Sequence, residues 1–267
     1  MTTLTSFRYV LHLAWQALRL YSRHFLPLFL IGGLPMMIYT LVLLALGHIA
    51  PPRSGLEPGE IFTPALRTFF LWNLPNLLLI QPLSNGALVA AVAQLQRREA
   101  IQPVAALRTA LKAWKGLLGA LGLFWLITAS TFFAIYWTFG RSEPPAWQSL
   151  GGLFMIALVV GLLGYWWFRW TFLTQAVILG GCGPREAFAH SSRLVAGAWG
   201  RVCNLFLLLS VLPGFLDNLL GLVGPWAVTV GQSLTGPLST VGMTLLYWEG
   251  RGEEVEIGNR DRDRDRV

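Results

Sequence analysis

The stretch that decides the fold runs from Tyr165 to Pro213, beginning with YWWFRW at 165–170 and turning through GGCGP at 180–184. An apolar helix ends before the turn, and a basic helix containing Arg193 and Arg201 follows it. A second apolar helix then continues to the end of the stretch. This order is typical of two membrane spans joined on the cytoplasmic side by a helix that lies among lipid headgroups.

The composition of the whole chain favours a membrane protein. Of its 267 residues, 54% are hydrophobic and 12% are charged, about half the charged share of a soluble domain. The net charge is +7, but the basic residues flank apolar spans, so anionic lipid is the expected partner rather than nucleic acid. We predict one all-α integral membrane domain over 1–248 and a disordered, charged tail over 249–267.

Six apolar segments are long enough to cross a bilayer. The predicted spans lie at roughly 25–50, 69–95, 117–140, 147–179, 202–223 and 226–248. Of the 20 basic residues, 16 fall on the side that holds both chain ends, and only Arg53, Arg67 and Arg141 fall on the other. The positive-inside rule therefore predicts a plasma-membrane protein with both termini in the cytoplasm.

Three basic amphipathic helices precede spans one, three and five. The pattern of basic helix, span, outer loop and span occurs three times, with junctions at 19–26, 112–118 and 193–205. These helices either fix topology alone or also bind anionic headgroups. The predicted headgroup ligands are Arg19, Arg23, Arg108, Lys112, Lys115, Arg193 and Arg201.

One segment resembles a known family. Residues 187–202, with Ala187-Phe188, the run 191–195, Trp199 and Arg201-Val202, resemble the membrane domain of some glycerophosphoryl diester phosphodiesterases and of related six-span prokaryotic proteins. The resemblance implies a six-span helical fold. In those phosphodiesterases the chemistry belongs to a separate soluble barrel, for which this chain has no room, so the resemblance implies no catalytic activity.

The residues themselves also indicate a protein that is not an enzyme. The sequence contains no Gly-x-Ser-x-Gly elbow, phosphate-binding Gly-Lys-Ser/Thr loop, Cys-x-x-Cys or His-Glu-x-x-His motif. The histidines are scattered without ligand spacing. We therefore predict no cofactor and no metal site.

Polar residues within the spans are the candidate functional residues. They are Asn73, Asn76, Gln81, Asn85, Arg169 and Asp217. The four amides of span two either hydrogen-bond to neighbouring helices, repairing gaps left by its prolines, or line a path for a polar substrate.

The two charged candidates have competing interpretations. Arg169 either extends its guanidinium to the inner headgroups or pairs with Glu186 or Glu249. Asp217 either is hydrated near the outer surface, pairs with an outer arginine (Arg67 or Arg141), or couples proton movement to transport.

These observations predict a lipid-contacting structural or accessory membrane protein, with another membrane protein as a second class of partner. The alternative is a transporter or permease-like protein for a small molecule or lipid. A water-lined cavity reaching Asn76 and Asp217 would favour transport, and a sealed bundle would favour the accessory role. Small residues are expected at helix contacts, namely Gly86, Ala90, Gly116, Ala120, Gly161 and Gly164.

Overall fold

The computed structural model describes the chain over residues 3–45, 74–139 and 150–264. These ranges contain helices and turns but no strand, which confirms the all-α prediction. The helices are α1 (Thr3–Arg23), α2 (Phe25–Ala45), α3 (Asn76–Gln96), α4 (Pro103–Lys112), α5 (Trp114–Phe139), α6 (Leu150–Arg169), α7 (Leu173–Gly180), α8 (Pro184–Gly221) and α9 (Pro225–Arg264).

Several of these helices are suited to a bilayer. Among the described residues, α2, α3 and α8 are each long and apolar enough to cross a membrane. Helices α4 and α5 add a fourth candidate if the pair, bent by 66°, counts as one span. The described part of the chain is thus helical and contains three to four apolar helices that can span a membrane.

The three predicted junctions between basic helix and span each contain a break in helical geometry. The backbone leaves the helical region at His24 (φ −116°, ψ 33°), at Ala113 (φ −85°, ψ 2°) and at Ala198 (φ −133°, ψ 20°). The first two breaks separate helices, whereas the third is a kink inside α8. The same local device therefore occurs once in each of the three sequence repeats.

Each basic helix contacts a helix from the second predicted span of another repeat. Helix α4 lies on α3, α8 contacts α7, and α1 packs on α9, which brings the first helix against the last. Val10, Leu13 and Ala17 of α1 are buried in this core. The Tyr21 hydroxyl donates to the Leu234 carbonyl at 2.7 Å. Burial raises the pKa of Tyr21 to about 12, so the phenol keeps its proton at physiological pH.

Wide helical turns accommodate two of the prolines inside the apolar helices. Phe29–Gly33 in α2 and Asn76–Ile80 in α3 each form a π-helical turn, and each is followed two residues later by a proline, Pro35 or Pro82. A proline lacks the N–H donor and crowds the carbonyl of the preceding turn. The extra residue in a wide turn relieves that crowding without ending the helix.

The structure differs from the sequence prediction along span four and in the tail. The single helix expected over 147–179 is divided after Arg169, and α7 starts only at Leu173. The backbone from 249 to Arg264 continues α9 as a helix, where disorder was predicted.

The predicted small-residue contacts hold for only part of the set. A methyl group at Gly86 would lie 3.0 Å from Leu117 Cδ1, and one at Gly116 would lie 3.1 Å from Val177 Cγ1. Within the described part of the chain, the positions of Gly161 and Gly164 face open space instead. Among the described residues, nothing therefore packs against those two glycines, and close packing at them stays a prediction.

Replacing Gly33 with alanine should destabilise the fold. A methyl group there would overlap the backbone carbonyl oxygen of Ser233, which cannot rotate away. Overpacking of this kind costs about 1–3 kcal/mol. The matched variant Gly161→Ala places its methyl in open space and should be neutral or slightly stabilising, since alanine is the better helix former. Tryptophan fluorescence monitors the thermal unfolding of both variants in detergent. Equal unfolding midpoints would contradict the predicted contact.

Candidate functional site

A cavity of about 250 Å³ lies where α6 breaks before α7. Helices α3, α5, α7, α8 and α9 supply the rest of its wall. Its polar residues carry only amide and hydroxyl groups and are Gln81, Asn85, Thr171, Thr174, Gln175, Ser239 and Thr240. Its aromatic residues are Phe124, Trp125, Trp167, Trp170 and Phe206.

A second cavity of about 270 Å³ lies between α2, α3 and α9. It shares Gln81, Asn85, Ser239 and Thr240 with the first cavity. Within this shared layer, the Thr240 hydroxyl donates to Asn85 Oδ1 across 3.5 Å, which is long for such a bond. Asn85 lies eleven residues before Gln96, or about 16 Å along α3 from its basic end. The two cavities therefore meet at a polar layer well inside the helix bundle.

Ser191 repairs the helix break that borders the first cavity. Its Oγ accepts a hydrogen bond from the Phe172 amide at 3.2 Å and donates one to the Arg169 carbonyl at 3.0 Å. Ser191 is completely buried. One hydroxyl thus satisfies a donor and an acceptor that the interrupted helix would otherwise leave without partners. Irregular backbone of this type is tolerated in membrane proteins where it is buried in protein or lines a cavity.

Gln175, in the first turn of α7, is the most informative polar residue of the cavity wall. Its side chain is 3% exposed, and its Oε1 has no hydrogen-bond partner. An unsatisfied buried amide oxygen costs about 1–3 kcal/mol. The cavity wall therefore contains an acceptor whose hydrogen bond is not made within the protein.

The aromatic wall is built from rings that meet edge to face. Phe124 and Trp167 have ring centroids 5.2 Å apart at 71°, and Trp125 and Trp167 lie 6.0 Å apart at 81°. Phe124 also contacts Trp170, at 6.2 Å. Such geometry is favourable between aromatic quadrupoles and fixes the rings in place. Trp167 is 41% exposed, so the aromatic wall extends from the cavity to the outer surface of the bundle.

The described residues that line the two cavities carry no formal charge. Among the described residues, no three histidine, cysteine, aspartate or glutamate side chains lie close enough to hold a metal ion. The arrangement is therefore suited to hydrogen bonding and to stacking on indole faces.

The structure divides the predicted amides into two groups. Gln81 and Asn85 line both cavities. Asn76 is buried outside them, and its Oδ1 lacks a partner. Asn73 lies outside the described residues. Neither Asn76 nor Asp217 lines these cavities, so the arrangement that would favour transport is met by Gln81 and Asn85 but not by Asn76 and Asp217.

Arg169 occupies the last position of α6, directly at the helix break. It is exposed, donates to Tyr165 Oη at 2.7 Å, and lies 5.7 Å from the centre of that ring. Glu186 instead accepts from the Gly183 amide. Arg169 is thus held by Tyr165 of its own helix.

Asp217, four residues before the end of α8, is half-buried, and its Oδ1 has no partner. Its two predicted arginine partners lie outside the described residues. Its neighbour Asn218 donates to the Gly214 carbonyl at 2.7 Å, within the same helix.

Sequence reasoning missed five polar residues of the cavity: Thr171, Thr174, Gln175, Ser239 and Thr240. The spacing of residues 171, 174 and 175 places them on one side of a helical turn. This spacing could have identified them as a polar group. Isolated threonines and serines in apolar helices usually bond to their own backbone, as Thr244 does to the Thr240 carbonyl, and so attract little notice.

The predicted headgroup ligands lie on the basic helices and the segments that follow them. Six are exposed: Arg19, Arg23, Arg108, Lys112, Lys115 and Arg193. Arg201 is half-buried, and its guanidinium lies 5.6 Å from the centre of the Tyr9 ring.

Comparison with protein-family models, curated proteins and solved structures finds no match to this chain. The likeness of residues 187–202 to the phosphodiesterase membrane domain stays a prediction. The structure gives one residue of that segment, Ser191, a defined structural task.

Replacing Ser191 with alanine should lower stability. The Phe172 amide and the Arg169 carbonyl would both lose their partner, and each unsatisfied group costs about 1–3 kcal/mol. Ser192→Ala, at the adjacent half-buried position, is the matched control and should unfold close to the parent temperature. Thermal unfolding in detergent measures both. An unchanged midpoint for Ser191→Ala would show that the break does not depend on this hydroxyl.

Proposed function

We propose that this chain is a six-span protein of a prokaryotic plasma membrane that binds anionic lipid on its cytoplasmic side and serves as a structural or accessory subunit rather than as an enzyme. Both termini lie in the cytoplasm in this proposal. Anionic lipid is its principal partner, and a second membrane protein is the further partner that an accessory role requires.

The observation that carries the proposal is a second apolar face on the basic helices. While one face of α1 is buried in the core, another exposes Phe7, Leu11, Trp15 and Leu18. Helix α4 repeats this pattern with Val104, Leu107 and Leu111 exposed. An exposed apolar row is costly in water but favourable against acyl chains.

Basic side chains accompany these exposed apolar rows. Arg19 lies 5.8 Å from the centre of the Trp15 ring, and Arg108 and Lys112 are exposed on α4. Apolar groups that enter the acyl boundary beside cations that reach the headgroups are typical of helices bound to an anionic leaflet.

Transport is the second candidate function, and the paired cavities favour it. They place Gln81 and Asn85 at a shared polar layer beside a broken helix. Discontinuous helices often form the substrate sites of membrane transporters. If the protein is a transporter, it moves a small molecule or lipid across the membrane, and the basic helices orient the protein in the membrane.

Removing charge from the second basic segment should weaken binding of anionic lipid. Each well-placed Lys or Arg contributes about 1 kcal/mol, so Arg108→Gln combined with Lys112→Gln and Lys115→Gln should reduce affinity at least tenfold. The charge-conserving set Arg108→Lys, Lys112→Arg and Lys115→Arg is the control and should retain affinity. Native mass spectrometry of phosphatidylglycerol retained from mixed nanodiscs measures both sets. Equal retention would overturn the lipid-binding proposal.

The topology is tested by labelling single cysteines in intact cells. In a background with Cys182 and Cys203 replaced by serine, a cysteine at Arg98 or at Arg251 should react with a membrane-impermeant maleimide only after the cells are opened. A cysteine at Arg53 should react in intact cells. Labelling at Arg98 without opening the cells would reverse the proposed orientation.

A further inference from the structure

The first cavity combines features of a ligand site that neither lipid binding at the surface nor helix packing requires. It holds seven polar residues, yet the Oε1 of Gln175 has no partner although the side chain is 97% buried. Buried amide oxygens in proteins are nearly always hydrogen-bonded. The unmet acceptor therefore points to a molecule that enters the cavity and donates a hydrogen bond.

The charge of the wall narrows the chemical class of that molecule. No Lys, Arg, Asp, Glu or His is among the described residues that line the cavity. An anion would leave its charge without a counter-ion in a place where desolvation is costly, and so would a simple cation. The ligand is therefore uncharged.

The donor and acceptor inventory narrows the class further. Amides and hydroxyls can both donate and accept, and the wall supplies three amides, Gln81, Asn85 and Gln175, beside four hydroxyls. A ligand complementary to such a wall carries several groups that can each donate and accept a hydrogen bond. Neighbouring hydroxyl groups on one small molecule meet this requirement, whereas a purely apolar ligand does not.

The aromatic wall fits the same class. Trp125, Trp167 and Trp170 offer large indole surfaces on which the C–H faces of a polyol ring can lie. Small-molecule binding sites typically combine a few oriented polar groups with apolar and aromatic walls. The two cavities, of about 250 and 270 Å³, share four polar wall residues, and each is slightly smaller than the volume range of small-molecule pockets, roughly 300–1,000 Å³.

We propose that the cavity at the α6–α7 break is a binding site for a neutral polyhydroxyl group, a sugar or related polyol, with Gln175 as its principal hydrogen-bond acceptor. The group comes either from a free solute or from the headgroup of a glycolipid. The exposed edge of Trp167 gives a glycolipid a route from the bilayer side. This site goes beyond the inner-leaflet binding proposed above and does not depend on it.

The proposal is tested by binding measurements on the full chain in a sugar-free, uncharged polyoxyethylene detergent, because a maltoside detergent would compete for the site. Methyl β-glucoside represents the free source, and monoglucosyl diacylglycerol in mixed micelles represents the lipid source. Tetramethylammonium represents a cation bound by the aromatic wall alone. Thermal shift and isothermal titration calorimetry are the readouts.

The expected result is a saturable rise in unfolding temperature with either glucoside. Saturation by both indicates recognition of the sugar itself, and saturation by the glycolipid alone assigns the lipid source. If neither glucoside saturates, or if only tetramethylammonium does, the proposal is overturned.

Two substitutions link such binding to the cavity. Gln175→Leu removes the acceptor at similar volume and should weaken glucoside binding about tenfold while leaving the ligand-free protein as stable as the parent or more so. Thr240→Val, which keeps the side-chain shape, should also weaken binding. Gln16→Leu, at an exposed position of α1, is the matched control and should not affect binding.

Unchanged affinity in both Gln175→Leu and Thr240→Val would place the ligand elsewhere and overturn the proposal. Loss of phosphatidylglycerol binding in the α4 variants leaves this result unaffected, so failure of the lipid proposal and failure of the sugar site are distinguishable.

Discussion

Hydrogen bonding of the backbone at the break after Arg169 is the interaction on which the rest of this arrangement depends. Apolar surroundings offer no water to backbone groups, so a helix can be interrupted only where the protein supplies partners. Ser191 supplies both, accepting from the Phe172 amide and donating to the Arg169 carbonyl. The backbone can therefore leave helical geometry between α6 and α7, and Thr171 and Gln175 border the cavity beside this break.

The same requirement explains the other irregularities of the bundle. Wide turns precede Pro35 and Pro82, and single non-helical residues separate the basic helices from the spans. At the end of α7, Gly181 adopts a left-handed conformation (φ 63°), which glycine accepts without strain, and the Cys182 amide bonds back to the Ala176 carbonyl. Irregular backbone thus occurs where a wide turn relieves crowding by a proline, where a glycine adopts a left-handed conformation, or where a nearby hydroxyl supplies hydrogen bonds.

The sequence was sufficient for the helical class and for several membrane spans, because apolar length and charge placement act locally. It identified Gln81 and Asn85 as polar residues within a span. It did not reveal the break in span four, because the repairing residue, Ser191, is 22 positions beyond Arg169 and acts through tertiary contact. For the same reason the cavity could not be foreseen: Gln175 and Thr240 come together only when α7 and α9 pack beside α3.

The central claim is that the helix break borders a polar cavity that water can enter. Single cysteines at 85 and 174, two partly buried positions of the cavity wall, test it most directly through their reaction with a small charged methanethiosulfonate reagent in a chain lacking Cys182 and Cys203. Such a reagent modifies thiolates, which form only where water reaches. The account predicts reaction at both positions and none at Leu158 or Leu162, which are exposed on the outer face of α6. Cysteines at 85 and 174 that are as unreactive as those at 158 and 162 would contradict it.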